Sequence, residues 1–409
     1  KLKKEVPNLA DESAELVFSE FSFSEIPQNG VSVKRQEFYP ASLRKHPSGG
    51  FKSSSAKEIK KRKELTVGIP RLLNMYLYNP FFSTYLRSLG IKVIYSDYTS
   101  KKLWEEGNNW GAIDPCFPAK VAPAHIYNII KNGKASHILF PMITHLHSAV
   151  ENTLGNNACV IQMGTPEVTD AVFTRDNNYF SEHGIKYLKP LISMDNKVEI
   201  THRMYEYFSK VFPITEDENA WAVREGHKAM NSYFSYLRKK GMKILNNCVV
   251  SNKMAILVIG HPYHHDPGLN HGIAEEFQKR GFPILTIESL PVDGEFTDNL
   301  FSGNENPEDI TDVWQRNFNR NTNLKIWASK IAARHPNIAV IDFSSFKCGH
   351  DAPTYSYIDR ILDESETPHF LFHDLDQNKP GATFDIRIQT IEYFLRLEEK
   401  KLSLKSGAS

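Results

Sequence analysis

The chain has 409 residues, 41% apolar and 24% charged, with a net charge of +1. That is the make-up of a globular protein with room for two or three domains, and it argues against disorder, fibres and binding through a nucleic-acid backbone. No apolar run reaches the length of a membrane crossing, no secretory signal pattern opens the chain, and four cysteines at 116, 159, 248 and 348 are too sparse for a secreted disulfide framework. A cytoplasmic protein is expected, with thiols that stay free or bind metal.

Residues 1–64 carry scattered aromatics (Phe18, Phe21, Phe23) and a Lys-rich end without sustained period, which reads as an arm or connector. The basic run at 57–63 reads as a solvated linker, and the start at Lys1 instead of Met suggests a piece of a longer polypeptide. From residue 65 the pattern changes. Residues 65–69 form a short apolar strand, Pro70 a turn, and Phe81, Tyr85, Leu86 and Leu89 mark a helix that Gly90 ends before a strand at 91–95. Cys116 then lies between Pro115 and Pro118, with Ala122, Ile126, Ile129 and Ile130 at helical spacing behind it. Strands are expected at 138–140 and 160–163, which completes a first α/β lobe over 65–200.

A helical bridge over 201–250, rich in aromatics, leads to a second lobe over 251–395 that repeats the first. Gly260-His261-Pro262 after a strand at 255–259 echoes Gly68-Ile69-Pro70. Ile273 and Phe277 mark a helix that Gly281 ends, and a strand at 284–287 follows, with Glu288 in the place of Asp97. Beyond a loop at 298–307, Trp314, Phe318, Trp327 and Ile331 read as the core face of a helix, and residues 338–343 as a strand with Cys348 past its carboxyl end. Residues 396–409 form a tail. The expected fold class is α/β: two related flavodoxin-like (Rossmann-like) lobes with parallel sheets and a bridging helical segment.

The chemistry is narrowed first by exclusion. There is no Gly-x-Gly, no Gly-Lys-Ser/Thr phosphate loop and no Gly-x-Ser-x-Gly elbow, so nicotinamide, P-loop and α/β-hydrolase readings lose their support. Cys116 sits near a helix N-terminus, where orphan N–H groups favour a thiolate; the plain alternative is a small buried thiol. His261, His264, His265, Asp266 and His271 crowd the turn after the 255–259 strand and could ligate zinc or iron in a mononuclear hydrolase or lyase, or act as acid and base. Equally, Pro, Gly, Asn and Asp there simply build a turn with exposed histidines. His145 and His147 are further candidate ligands or surface groups.

Cys116-Phe117-Pro118-Ala119-Lys120, the loop from Gly260-His261-Pro262-Tyr263-His264 to Asn270-His271-Gly272, and Ser345-Phe346-Lys347-Cys348-Gly349-His350-Asp351 together resemble the 2-hydroxyacyl-CoA dehydratase and benzoyl-CoA reductase superfamily. The resemblance runs from about residue 65 to 395, takes in Val67-Gly68-Ile69-Pro70-Arg71 and Lys379-Pro380-Gly381, and is nearest to large activase-related members and double-cubane cluster proteins. It implies an oxygen-sensitive iron–sulfur cluster, 4Fe-4S or double-cubane, held by Cys116, Cys159 and Cys348 between the lobes. It further implies Lys120, Tyr263, His264, Asn270 and His271 as groups that balance the cluster's charge or meet substrate. Cys159 lacks the proline that follows the family's second cysteine, and His261 stands where relatives often carry Arg. Cys248 matches no ligand motif and is expected to be a buried structural thiol. An ATP-hydrolysing activase, separate or fused upstream, is the implied electron donor, since this chain lacks that ATPase's Asp-x-Gly-Ser-Thr-type loop. An acyl-CoA or other small-molecule substrate and a homodimer are implied too, with neither nucleic acid nor membrane as partner. A non-catalytic, degenerate module of an activase-related chain is the remaining alternative.

Overall fold

The computed structural model describes residues 5–40, 48–110, 116–292, 294–301, 305–376 and 382–407. Asp114, Pro115 and the Lys379-Pro380-Gly381 motif lie outside the described residues. The chain divides into two compact units. The first comprises Leu16–His147 and Ala158–Tyr233; the second comprises Lys1–Glu15, Ser148–Asn157 and Phe234–Ser409.

Among the described residues each unit is built on a parallel sheet of four strands. In the first unit β1 (Thr66–Ile69), β2 (Lys92–Tyr95), β3 (His137–Leu139) and β4 (Lys186–Leu188) stand in the order β2-β1-β3-β4. In the second, β5 (Ala255–Ile259), β6 (Ile284–Thr286), β7 (Ile338–Phe343) and β8 (His369–Phe372) stand in the order β6-β5-β7-β8. The order is the same twice over, the flavodoxin-like α/β arrangement expected from the sequence. The echo extends to the helix ends: after Met75–Ser88 and after Ile273–Lys279 the chain turns at Gly90 (φ 83°) and Gly281 (φ 89°), left-handed positions that glycine fills without a Cβ clash.

Strands β5 and β7 are buried at every residue; β5 reads as an unbroken apolar run and β7 as one interrupted by Asp342. Successive side chains point to opposite faces. Ala255, Leu257, Ile259, Ile338 and Val340 pack with Leu324, Trp327 and Ile331 of the helix Arg320–Ala332. Ile256, Val258, Ala339, Ile341 and Phe343 pack with Phe277 and with Phe384, Ile388 and Leu395 of the helix Ala382–Gly407. The amino-terminal segment joins this unit: Asn8 bridges Ile284 in parallel register, and its side-chain amide donates to Gln278 at 3.4 Å, 270 residues away in the chain.

Three elements differ from what the sequence pattern suggests. Residues 160–163 are not a strand but the start of the helix Val160–Thr174, whose buried side is made of Gln162, Thr165, Pro166, Thr169 and Phe173 while Val160 and Ile161 are exposed. The helix expected around Trp314 begins only at Arg320, where the Asn319 side chain accepts from the backbone N–H groups of Asn321 and Thr322; Trp314 and the exposed Phe318 precede it. The basic run at 57–63 lies in the helix Ala56–Lys63, opened by a Ser55/Glu58 capping box, with Arg62 buried in a two-bond pairing with Glu218 at 2.7 and 2.8 Å. Cys248 is buried within the helix Glu216–Ser251, and burial pushes its thiol up to about 11. No described helix is long and apolar enough to cross a membrane.

Candidate functional site

In the second unit the carboxyl ends of β5 and β7 gather the polar groups. After β5 the chain turns at Gly260, where a Cβ would lie 2.8 Å from His264 Nδ1 and 3.2 Å from Phe343 Cβ. Pro262–His265 forms one 3₁₀ turn, and the backbone N–H of His261 donates to His264 Nδ1 at 3.2 Å. His264 therefore keeps its ring proton on Nε2. Burial first, and then the neighbouring positive charge of His261, hold it well below the usual histidine range. Asn270 donates to the His264 carbonyl at 2.9 Å and accepts from Gly272 N–H at 2.8 Å; His271 Nε2 donates to the Asp376 carbonyl at 2.8 Å. The ring of Tyr263 stacks on His261, centroids 5.1 Å apart at 8°. The histidines are thus built into the turn, with His261, His264 and His265 buried instead of exposed.

Beyond β7, Cys348 is half-buried with its Sγ 3.8 Å from His261 Nε2, and the same nitrogen lies 3.0 Å from Asp351 Oδ1. Asp351 Oδ2 accepts from Lys325 Nζ at 3.1 Å and from Ser344 Oγ at 2.7 Å, and Ser344 Oγ accepts from Tyr355 Oη at 2.8 Å. Lys325 also pairs with Asp342 of β7 at 2.6 Å, and His373 Nε2 lies 3.1 Å from the other Asp342 oxygen. Lys325 comes from the middle of Arg320–Ala332, a helix buried at all its residues, so its ammonium has no route to water. Burial works against the charge on Lys325, but the two carboxylates outweigh it and raise its pKa. Burial would raise Asp351, yet Lys325 and His261 hold it well below the carboxylate range.

The orientation of His261 is fixed from its other side. Arg320 donates to Asn321 Oδ1 at 3.1 Å, which turns the Asn321 amide nitrogen toward His261 Nδ1 at 3.0 Å. Nδ1 accepts, so the ring proton sits on Nε2. The Nε2–H is directed at Asp351, with the Cys348 sulfur farther off. Burial lowers the pKa of His261, but Asp351, in charge and in hydrogen bonding, overcomes it and lifts it to about 10, with Cys348 adding to the rise. The candidate ligand atoms of His261, Cys348 and Asp351 all lie within 4.8 Å of one another. Both ring nitrogens of His261 and both carboxylate oxygens of Asp351 have partners within the protein. His264, His265, Asp266 and His271 join no group of three ligand atoms among the described residues. His265 instead faces Ser13 Oγ at 3.0 Å and Glu288 at 3.6 Å, and Asp266 accepts from Gly268 N–H at 2.8 Å.

The first unit holds Cys116, Cys159 and Lys120. Cys116 is the N-cap of Phe117–Lys120 and Cys159 the N-cap of Val160–Thr174, two helices that pack together. Both thiols are half-buried, and Cys159 stands at the head of a 15-residue helix. Lys120 Nζ lies 5.8 Å from the Trp104 ring centre. His145 Nδ1 is 3.0 Å from Thr144 Oγ1, and His147 is exposed.

Sequence reasoning passed over Asn321, Lys325, Asp342, Ser344, Tyr355 and His373. Two signals were there to be read: a lone Asp in the apolar run Ile338–Phe343, and a Lys among the apolar residues of Arg320–Ala332.

Comparison with known proteins adds one family. No curated protein matches. A solved structure of a hypothetical protein from Thermus thermophilus is similar over 86% of this chain and 86% of its own, at 7% identity and a TM-score of 0.18, too low to bear on fold or function. The family model described as CoA enzyme activase uncharacterised domain, DUF2229, matches residues 66–290, which include Cys116, Cys159 and the Gly260 turn. That match takes in more than half of the chain, and the chain belongs to this family of CoA enzyme activase domains.

Proposed function

We propose that this protein is the iron–sulfur-cluster-bearing component of an activase-driven reductase or 2-hydroxyacyl-CoA dehydratase-like system, located in the cytoplasm and supplied with electrons by a partner ATPase. The observation that carries the reading is the setting of Cys348: a half-buried thiol past the carboxyl end of a parallel strand, with a buried imidazole N–H 3.8 Å from its sulfur. Such a donor suits a thiolate ligand, whose charge needs hydrogen bonds when it is withdrawn from water. Membership of the activase-related family and the ordered motifs around Cys116 and Cys348 support the same assignment.

The motif resemblance gives Cys116, Cys159 and Cys348 as the ligands of the cluster, and the group would supply low-potential one-electron chemistry. The chain's own residues do the rest. His261 Nε2 lies 3.8 Å from the Cys348 sulfur, Asp351 and Asn321 hold the imidazole in one orientation, and the Tyr263 ring covers its face. Lys120 and the amino-terminal end of Val160–Thr174 provide positive potential for anionic groups. The test is anaerobic purification and reconstitution with iron and sulfide analysis. Iron and acid-labile sulfide near stoichiometric ratio, lost on Cys116→Ser and Cys348→Ser, is the expected outcome. A colourless chain that takes up no iron, and is indifferent to both changes, removes the assignment.

A second reading has one observation in its favour, the 4.8 Å grouping of His261, Cys348 and Asp351, which suits a single zinc-like ion. A cation there would have to displace Lys325 from Asp351 and the proton from His261 Nε2. Stoichiometric zinc without sulfide, lost on His261→Ala but kept on Cys116→Ser, would favour this reading over the cluster.

A further inference from the structure

We infer that Asp359, Asp363 and His369 form a site for a divalent metal ion of the zinc class on the second unit, built without a cysteine. The helix Tyr355–Glu364 and strand β8 (His369–Phe372) meet there across a short turn. His369 Nδ1 lies 3.1 Å from the Thr367 carbonyl, which can only accept, so Nδ1 carries the ring proton. In the neutral ring Nε2 then holds a lone pair, and what it faces is no donor: Asp359 Oδ1 lies 3.7 Å away and Asp363 Oδ1 3.8 Å. Three electron-pair donors thus converge with no hydrogen between them. Asp359 Oδ1 is closed off from solvent and accepts no hydrogen bond, and burial pushes this carboxyl up. The helix adds to the imbalance. Asp359 and Asp363 stand one turn apart toward its carboxyl end, where the backbone already carries partial negative charge, and the last turn holds no basic residue.

A divalent cation answers these observations together. Ligand atoms about 2.0–2.2 Å from a zinc-like ion stand roughly 3–3.5 Å from one another, so His369 and Asp359 need to close by only a few tenths of an ångström. The three ligand atoms do not all lie within 4.8 Å of one another as they stand, and Asp363 supplies the movement: its side chain is 74% exposed at the end of the helix and can turn toward the other two. The imidazole is already set for the role, since a ligating histidine donates its other ring N–H to a carbonyl, as His369 does to Thr367. One imidazole and two carboxylates, with water in the remaining positions, suit zinc or another first-row ion better than calcium or magnesium. Bound there, the ion ties the end of Tyr355–Glu364 to the start of β8.

The test is a zinc titration of the tag-free, metal-free full chain, with affinity read by competition against a chromophoric chelator. Wild type is compared with Asp359→Asn, His369→Gln and Asp363→Asn, and with Cys348→Ser and His261→Ala as controls for the other candidate ligands. One zinc per chain is expected to disappear in Asp359→Asn and His369→Gln and to bind at least roughly tenfold more weakly in Asp363→Asn, while that equivalent is kept in both controls. The rise in melting temperature on adding zinc is expected to follow the same order. Asp363 is exposed, so its variant keeps the fold and decides the matter should either of the other two unfold. A wild-type chain that binds no zinc overturns the inference, as does zinc held equally by all three site variants or lost only with Cys348→Ser or His261→Ala. Failure here leaves the iron–sulfur reading untouched, because none of Asp359, Asp363 and His369 is among its ligands.

Discussion

At the scale of single residues, the buried charges are where this protein is most exposed to change. Lys325 has carboxylates at 2.6 and 3.1 Å and no access to solvent, so removing it leaves two buried anions facing one another. Lys325→Met is expected to cost about 3–5 kcal/mol in urea unfolding, the range for breaking one side of a buried pair. A loss below about 1 kcal/mol would mean that the charges are hydrated after all. His125 offers a pH-dependent test well away from the cysteines. Its ring is buried between Ser96 Oγ at 2.7 Å and Thr99 Oγ1 at 3.1 Å, and burial, followed by the charge of Arg71, holds its pKa down to about 3. In the unfolded chain the imidazole takes its proton near pH 6.5, so between about 6.5 and 3 the unfolded state binds one proton more than the folded state. The stability due to a neutral His125 is complete above pH 6.5 and is lost as pH falls through that window. Unfolding midpoints from pH 7.5 to 4.5 should therefore fall less steeply in His125→Gln, by up to ~1.4 kcal/mol per pH unit; parallel curves would show that the ring is not the titrating group. Little of this could be read in the sequence. Lys325, Asp342 and Asp351 are separate in the text, and only the packing of Arg320–Ala332 over β7 makes them one network.

At the scale of elements, legibility followed which side of an element is apolar. Strands β5 and β7 were plain because both faces are buried in hydrocarbon. The helix Val160–Thr174 was misread because its buried side is mostly polar or small, with Thr165 and Thr169 turned back to bond the carbonyls of Ile161 and Thr165, while Val160 and Ile161 face outward. Cys159 accordingly changes from a residue beside a strand to one heading a helix. Gly164 gives a direct check, since it lies inside that helix and a Cβ added there would meet nothing within 4 Å. Gly164→Ala is expected to raise stability by about 0.5–1 kcal/mol, as for a helix-interior glycine with free space around its Cβ. Gly260→Ala should do the opposite. Its Cβ would press on His264 at 2.8 Å and on Phe343 at 3.2 Å, and a loss of about 1–3 kcal/mol is expected from the overpacked turn. Thermal and urea unfolding of the two variants side by side separates these effects.

At the scale of the whole molecule, the twofold use of one strand order was foreshadowed by the paired Gly-x-Pro turns and the glycines that end the following helices, features set by local backbone geometry. The membership of residues 1–15 and 148–157 in the second unit was not, since it depends on pairings between distant parts of the chain. Within that unit, β5 and β7 lie between two apolar layers, and their amides should exchange with deuterium most slowly, near the rate of global unfolding. The antiparallel pair of Ser32–Lys34 and Ser48–Gly50 has only short, partly exposed strands and should exchange much faster; the reverse order would contradict the core assignment. The bridge from Asn8 to Ile284 carries a further consequence, for biosynthesis. The partner of this early segment leaves the ribosome some 270 residues later. At about 5–20 residues per second that is a wait of tens of seconds. Throughout that interval Leu9, Ala10 and Ala14, enclosed in the finished fold, lack the strand Ile284–Thr286 beside which their segment is held. During synthesis this segment therefore waits for its pairing strand, a natural grip for holdase chaperones and a weak point for aggregation when translation stalls.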